Sequence, residues 1–63
     1  MNLQKSVKVL NAIHGKTSIE LAESLGITRV WLWHKLKENN TAYIEKCAAF
    51  YGVTVADFIN KGK

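Results

Sequence analysis

The chain has 63 residues, nine Lys and Arg against five Asp and Glu, a formal charge of +4, and a hydrophobic content of 48%. That length holds one domain, spanning 1–63, and the composition excludes an intrinsically disordered chain. A single cysteine, Cys47, excludes an intrachain disulfide and a paired-cysteine zinc site, so neither metal nor cofactor is expected.

The start, MNLQKSVKVLNAIHG, breaks its apolar residues with Gln, Lys, Ser and Asn, unlike a secretory leader. No apolar run approaches the ~20 residues that span a bilayer. With the lone thiol, these features point to a soluble protein of a reducing cytoplasm that makes no membrane contact. The positive balance on so small a body favours a polyanion as partner.

In chain order, Leu3, Val7, Leu10 and then Ile13 or His14 recur at helical spacing, predicting a first helix that stops at Gly15. His14 is expected to serve the end of that helix as a cap. Thr17-Ser18-Ile19-Glu20 reads as a capping box opening a second helix, which Gly26 ends. Thr28 is suited to cap a third helix, Thr41 a fourth that ends at Gly52, and Thr54, with Asp57 three residues on, a fifth. No segment alternates as a half-buried strand does. The reading is all-α, five short helices, with Asn60 to Lys63 as a frayed tail.

Helices this short are unstable alone and must share a core. Its expected members are Leu3, Val7, Leu10, Leu21, Ala22, Leu25, Ile27, Leu32, Leu36, Ile44, Ala48, Tyr51, Val53 and Phe58, with Cys47 falling in the same pattern. A core of this size gives roughly 3–5 kcal/mol, so self-association would help. Val55, Phe58 and Ile59 are the candidate dimer interface, because one short helix has little room to bury all three against so small a body.

The stretch from Ile19 to Lys37 carries the functional signal. Leu21 and Leu25 share a helical face, Ala22 permits a close helix crossing, Gly26 makes a tight turn, and Ile27 plugs the corner. Leu32 then anchors the next helix. This is the pattern of a helix-turn-helix over about 17–37.

Leu21-Ala22-Glu23-Ser24-Leu25-Gly26-Ile27-Thr28-Arg29 resembles the core motif of the phage repressor and Cro-like helix-turn-helix domains, often called the Xre family. The segment Ile44 to Phe58 is similar to that family's ending. Lys35 departs from it, standing where an apolar residue is usual, with Leu36 placed to take over the packing. Arg29 to Lys37 is also similar to the helix-turn-helix of Fis-like activators, whereas the residues after Thr41 fit the repressor family. The resemblance implies a lambda-repressor-like fold and a transcriptional regulator that represses by occupying an operator. It also implies a two-fold homodimer on double-stranded DNA.

With Leu32 and Leu36 inward, a helical wheel turns Val30, Trp33, His34 and Lys37 outward, flanked by Arg29. Arg29, Val30, Trp33 and His34 are the candidate base contacts: a guanidinium for guanine, apolar groups for thymine methyls, an imidazole for a base edge. Lys16, Thr17, Ser18, Thr28, Lys37, Asn39 and Asn40 are the candidate phosphate contacts, several of them at helix starts.

Trp31 and Trp33 are the oddest residues, and packing on the fourth helix, Tyr43 or Phe50 is expected of Trp31 more than of Trp33. Either one exposed would suit a protein partner. The competing function is therefore a helix-turn-helix used as a protein-interaction module, such as an antirepressor or an antitoxin-like protein. An ion pair of Arg29 with Glu23 or Glu38 is the plain alternative to its DNA role. No Ser-His-acid set, paired carboxylates or glycine-rich phosphate loop points to an enzyme.

Overall fold

A computed structural model describes residues 2–63. Five helices follow one another: α1 (Leu3–His14), α2 (Ser18–Leu25), α3 (Arg29–Lys37), α4 (Thr41–Tyr51) and α5 (Val55–Asn60). No strand occurs among the described residues.

Local chemistry sets the helix boundaries. Thr17 closes a full capping box: its hydroxyl accepts from the Glu20 N–H at 3.1 Å, and Glu20 accepts from the Thr17 N–H at 2.9 Å. Thr28 accepts from the Trp31 N–H, and Thr54 from the Asp57 N–H, both at 3.1 Å. Two starts differ from expectation or escaped it. Asn40, rather than Thr41, caps α4 by accepting from the Ala42 N–H at 3.1 Å, and Thr41 is the first helical residue. Asn2 caps α1 by accepting from the Lys5 N–H at 3.0 Å.

At the other end of α2, Gly26 takes φ 71°, a left-handed conformation, and only three residues separate α2 from α3. Asn39 does the same after α3, at φ 58°, where no glycine marks the stop. At the end of α1 the cap is the Gly15 N–H, which bonds Asn11 O. His14 instead lays its ring 5.7 Å from that of Tyr51.

α1 packs against all four other helices, and α5 lies against α1 and α4. The core they share holds Leu3, Val7, Leu10, Leu21, Ala22, Leu32, Leu36, Ile44, Cys47, Ala48, Tyr51 and Phe58. Leu25, Ile27 and Val53, expected inside, are only partly buried at its margin. Ile13 is left 59% exposed. Burial pushes the Cys47 thiol up to about 12, so it packs as a neutral group. Asn11 ties three helices together: its Oδ1 accepts from the Tyr51 hydroxyl on α4, and its Nδ2 donates to Ser18 Oγ on α2 at 3.2 Å.

Two expectations at the C-terminal end are corrected. Phe58 is 0% exposed and belongs to the core, so it offers no dimer surface. The segment 60–63 is not frayed. Gly62 is buried against the start of α1, and Lys5 Nζ donates to the Lys63 carbonyl at 3.0 Å. Residues 62–63 meet Asn2, Lys5 and Ser6 there because α5 packs on α1.

Candidate nucleic-acid interface

The α2–turn–α3 unit holds α3 by Leu32 and Leu36, which are 0% and 1% exposed, and so turns the rest of that helix outward. Arg29, Val30, His34 and Lys37 are exposed, Val30 at 76%. Trp33 is half-buried and packs against the core, less projecting than the wheel suggests. Its backbone carbonyl accepts from Gln4 Nε2 at 3.2 Å, which pins α1 to α3.

These side chains surround an open hollow of about 420 Å³, lined by Gln4, Thr28, Val30, Trp31, Trp33, His34 and Lys37. Four groups expected to face one ligand (Val30, Trp33, His34 and Lys37) are thus brought together, with Thr28 beside them. No carboxylate is in the lining. Arg29, at the helix start between the lining residues Thr28 and Val30, does not itself line the hollow and takes part in neither ion pair of the described residues. The expected alternative, a tie to Glu23 or Glu38, is not formed.

Glu38 instead accepts two neighbours. Its carboxylate is 3.1 Å from His34 Nε2 and 3.5 Å from Lys35 Nζ. His34 Nε2 therefore faces a carboxylate at the edge of the hollow that His34 helps to line. Lys35 also lies over the Trp31 ring, 4.5 Å from its centroid. Trp31 is 47% exposed and donates its indole N–H to the Tyr43 hydroxyl at 3.2 Å, so it touches α4 without being buried by it.

The expected phosphate contacts do not all gather here. Thr28 keeps its hydroxyl proton while its oxygen caps α3. Lys16, Thr17 and Ser18 lie at the start of α2, outside the hollow. Lys16 and Thr17 are exposed, but Ser18 is half-buried and turned to Asn11. The Thr17 and Glu20 amides are already used by the capping box, and Glu20 adds a negative charge at that terminus. Asn39 is exposed in the α3–α4 turn; Asn40 is half-buried with its Oδ1 engaged as a cap.

The sequence reading missed Gln4. It lies beside the core residue Leu3 on α1, and nothing in its local pattern signals that α1 crosses α3 there.

No family model, characterised protein or solved structure matches this chain. What the face binds must follow from its own residues. Among the described residues no group of His, Cys, Asp or Glu is placed to hold a metal, and no helix is long and apolar enough to cross a membrane. On α5, Val55 is 39% exposed, whereas Ile59 is half-buried and packs against the core, which leaves Val55 and the exposed edge of Ile59 as the candidate dimer surface.

Proposed function

We propose that this chain is a sequence-specific double-stranded DNA-binding protein, a transcriptional regulator of the repressor or Cro type with a lambda-repressor-like helix-turn-helix. α2 and α3 form the motif, and α3 enters the major groove of an operator. The observation that carries this reading is the outward face of α3. An arginine, a histidine and a lysine stand there beside exposed apolar groups, and the histidine and lysine line a hollow with no carboxylate in its lining.

Nine helical residues rise roughly 13 Å, enough to present three or four side chains along a groove. Arg29 is placed for a bidentate contact with guanine, Val30 and the edge of Trp33 for thymine methyls, and His34 for a base edge. Lys37 and the Thr28 hydroxyl are placed for phosphate oxygens. Repression follows sterically, because an occupied operator excludes the polymerase. A two-fold dimer joined through Val55 and Ile59 would read half-sites about 34 Å apart on a palindrome. No chemistry is assigned to the chain, which acts by binding.

A second reading draws on Val30 and Trp31, which are 76% and 47% exposed on the same helix. They would anchor a protein partner, as in an antirepressor or antitoxin-like module. Titration with duplex DNA over a salt series separates the two. The DNA reading predicts affinity that falls with a log–log slope near −0.9 per phosphate neutralised, and a selected site that is palindromic. A folded sample that binds no duplex at low salt would reject it in favour of the protein partner.

A further inference from the structure

Four side chains not assigned to base contact, of which Trp31 also lines the hollow, form a ladder across α3 and α4. Lys35 lies over Trp31 at 4.5 Å, the Trp31 indole N–H donates to the Tyr43 hydroxyl at 3.2 Å, and Lys46 lies 5.4 Å from the Tyr43 ring centroid. Tyr43 and Lys46 stand three residues apart, on one face of α4 near its start. We propose that Tyr43 and Lys46, braced by Trp31 and Lys35, form a phosphate site that grips the DNA backbone beside the groove occupied by α3. This rests on the DNA-binding reading above.

Hydrogen-bond direction carries the argument. A phenol has one proton and accepts through its oxygen. Trp31 occupies the acceptor side of Tyr43, which orients the hydroxyl, and the Tyr43 proton has no acceptor among the described residues. The hydroxyl is thus held ready to donate, which suits an oxyanion. Lys46 is exposed and takes part in neither ion pair of the described residues, so its ammonium is available to the same anion. Lys35 shares Glu38 with His34 and acts mainly as the brace of the Trp31 ring.

Exposed cation–π contacts stabilise a fold by only about 0.5–1 kcal/mol. That is a weak reason for two lysines to line two partly exposed aromatic rings at the edge of a basic face. Backbone phosphate is the ligand that uses both the donor and the charges. Such a contact fixes how a helix sits on the duplex without reading its sequence.

The test compares wild type, Lys46→Ala and Tyr43→Phe by duplex titration over a salt series, on a selected site and on random DNA. Far-ultraviolet circular dichroism checks that each is folded. Lys46→Ala should make the salt slope shallower by about 0.9. Tyr43→Phe keeps the ring under Lys46 and should weaken binding about ten-fold, equally on both DNAs. Lys61→Ala, at the end of α5 and away from α3, should change neither quantity. If the wild type binds with a steep salt slope and both variants match it, the phosphate site is wrong and the DNA-binding reading stands. A loss confined to the selected site would also overturn the proposal, because a backbone contact carries no sequence preference. A folded wild type that binds no duplex rejects both.

Discussion

Substituting Gly62 by alanine tests how residues 61–63 dock on the start of α1. A Cβ at that position would lie 2.2 Å from the Asn2 carbonyl oxygen, 2.6 Å from Ser6 Oγ and 2.9 Å from the Asn2 carbonyl carbon. The nearest atom is backbone and is already fixed: Asn2 O accepts from the Ser6 N–H at 3.1 Å and from Ser6 Oγ at 3.3 Å. Either the first turn of α1 distorts, or residues 61–63 lift away and release the Lys5–Lys63 contact and the burial of Gly62. Forcing a methyl into such a site costs about 1–3 kcal/mol. In a domain of this size about 2 kcal/mol lowers the melting temperature by roughly 8–16 °C. Thermal melts of Gly62→Ala beside Lys61→Ala, an exposed neighbour, measure it. A Gly62→Ala melting temperature within about 2 °C of wild type would refute the docked tail and restore a frayed one.

Three further outcomes follow from single groups. Asn39→Ala should destabilise by about 1 kcal/mol because of its positive φ, while Asn39→Gly should not, and urea unfolding midpoints of the two variants check this. The Cys47 thiol is raised from its ordinary 9.0 to about 12 in the folded chain, so above pH 9 the unfolded state holds fewer protons than the folded one. Stability is then complete below pH 9 and falls by about 1.4 kcal/mol per pH unit as pH rises toward 12. Urea midpoints on either side of pH 9 read that slope; Cys47→Ala should flatten it, leaving the part due to the Tyr51 phenol, which burial and Cys47 also push up. Arg29→Ala should leave the melting temperature unchanged and weaken binding to a selected site by about 1–3 kcal/mol, with specificity relaxed at one base position. Equal affinity and specificity would remove Arg29 from base readout.

Most of the fold was legible because it is written locally. Thr17, Thr28 and Thr54 cap α2, α3 and α5 as expected, Gly15, Gly26 and Gly52 end α1, α2 and α4, and helical spacing picks out most of the core. Where Asn40 and Thr41 stand side by side, either can cap, and only the backbone geometry decides for the asparagine. The tail and Gln4 were not legible, since each depends on a crossing of α1 with a helix distant in sequence. Phe58 fitted both the core pattern and an outward apolar stripe, and its deep burial in the core settled which. At the interface, the wheel placed Arg29, Val30, His34 and Lys37 outward because Leu32 and Leu36 define the inward face. It overstated the exposure of Trp33, because it is blind to packing from neighbouring helices, and a half-exposed Trp31 bonded to Tyr43 lay between the two outcomes weighed for it.

The proposed function requires that the outward face of α3 be what meets DNA. The most direct measurement maps amide and indole chemical shifts by nuclear magnetic resonance while duplex DNA is added at low salt. The predicted result is perturbation concentrated on Thr28, Arg29, Val30, Trp33, His34 and Lys37, with the buried side of α3 and the end of α5 little changed. Perturbation absent from that face, in a folded sample saturated with duplex, would contradict it.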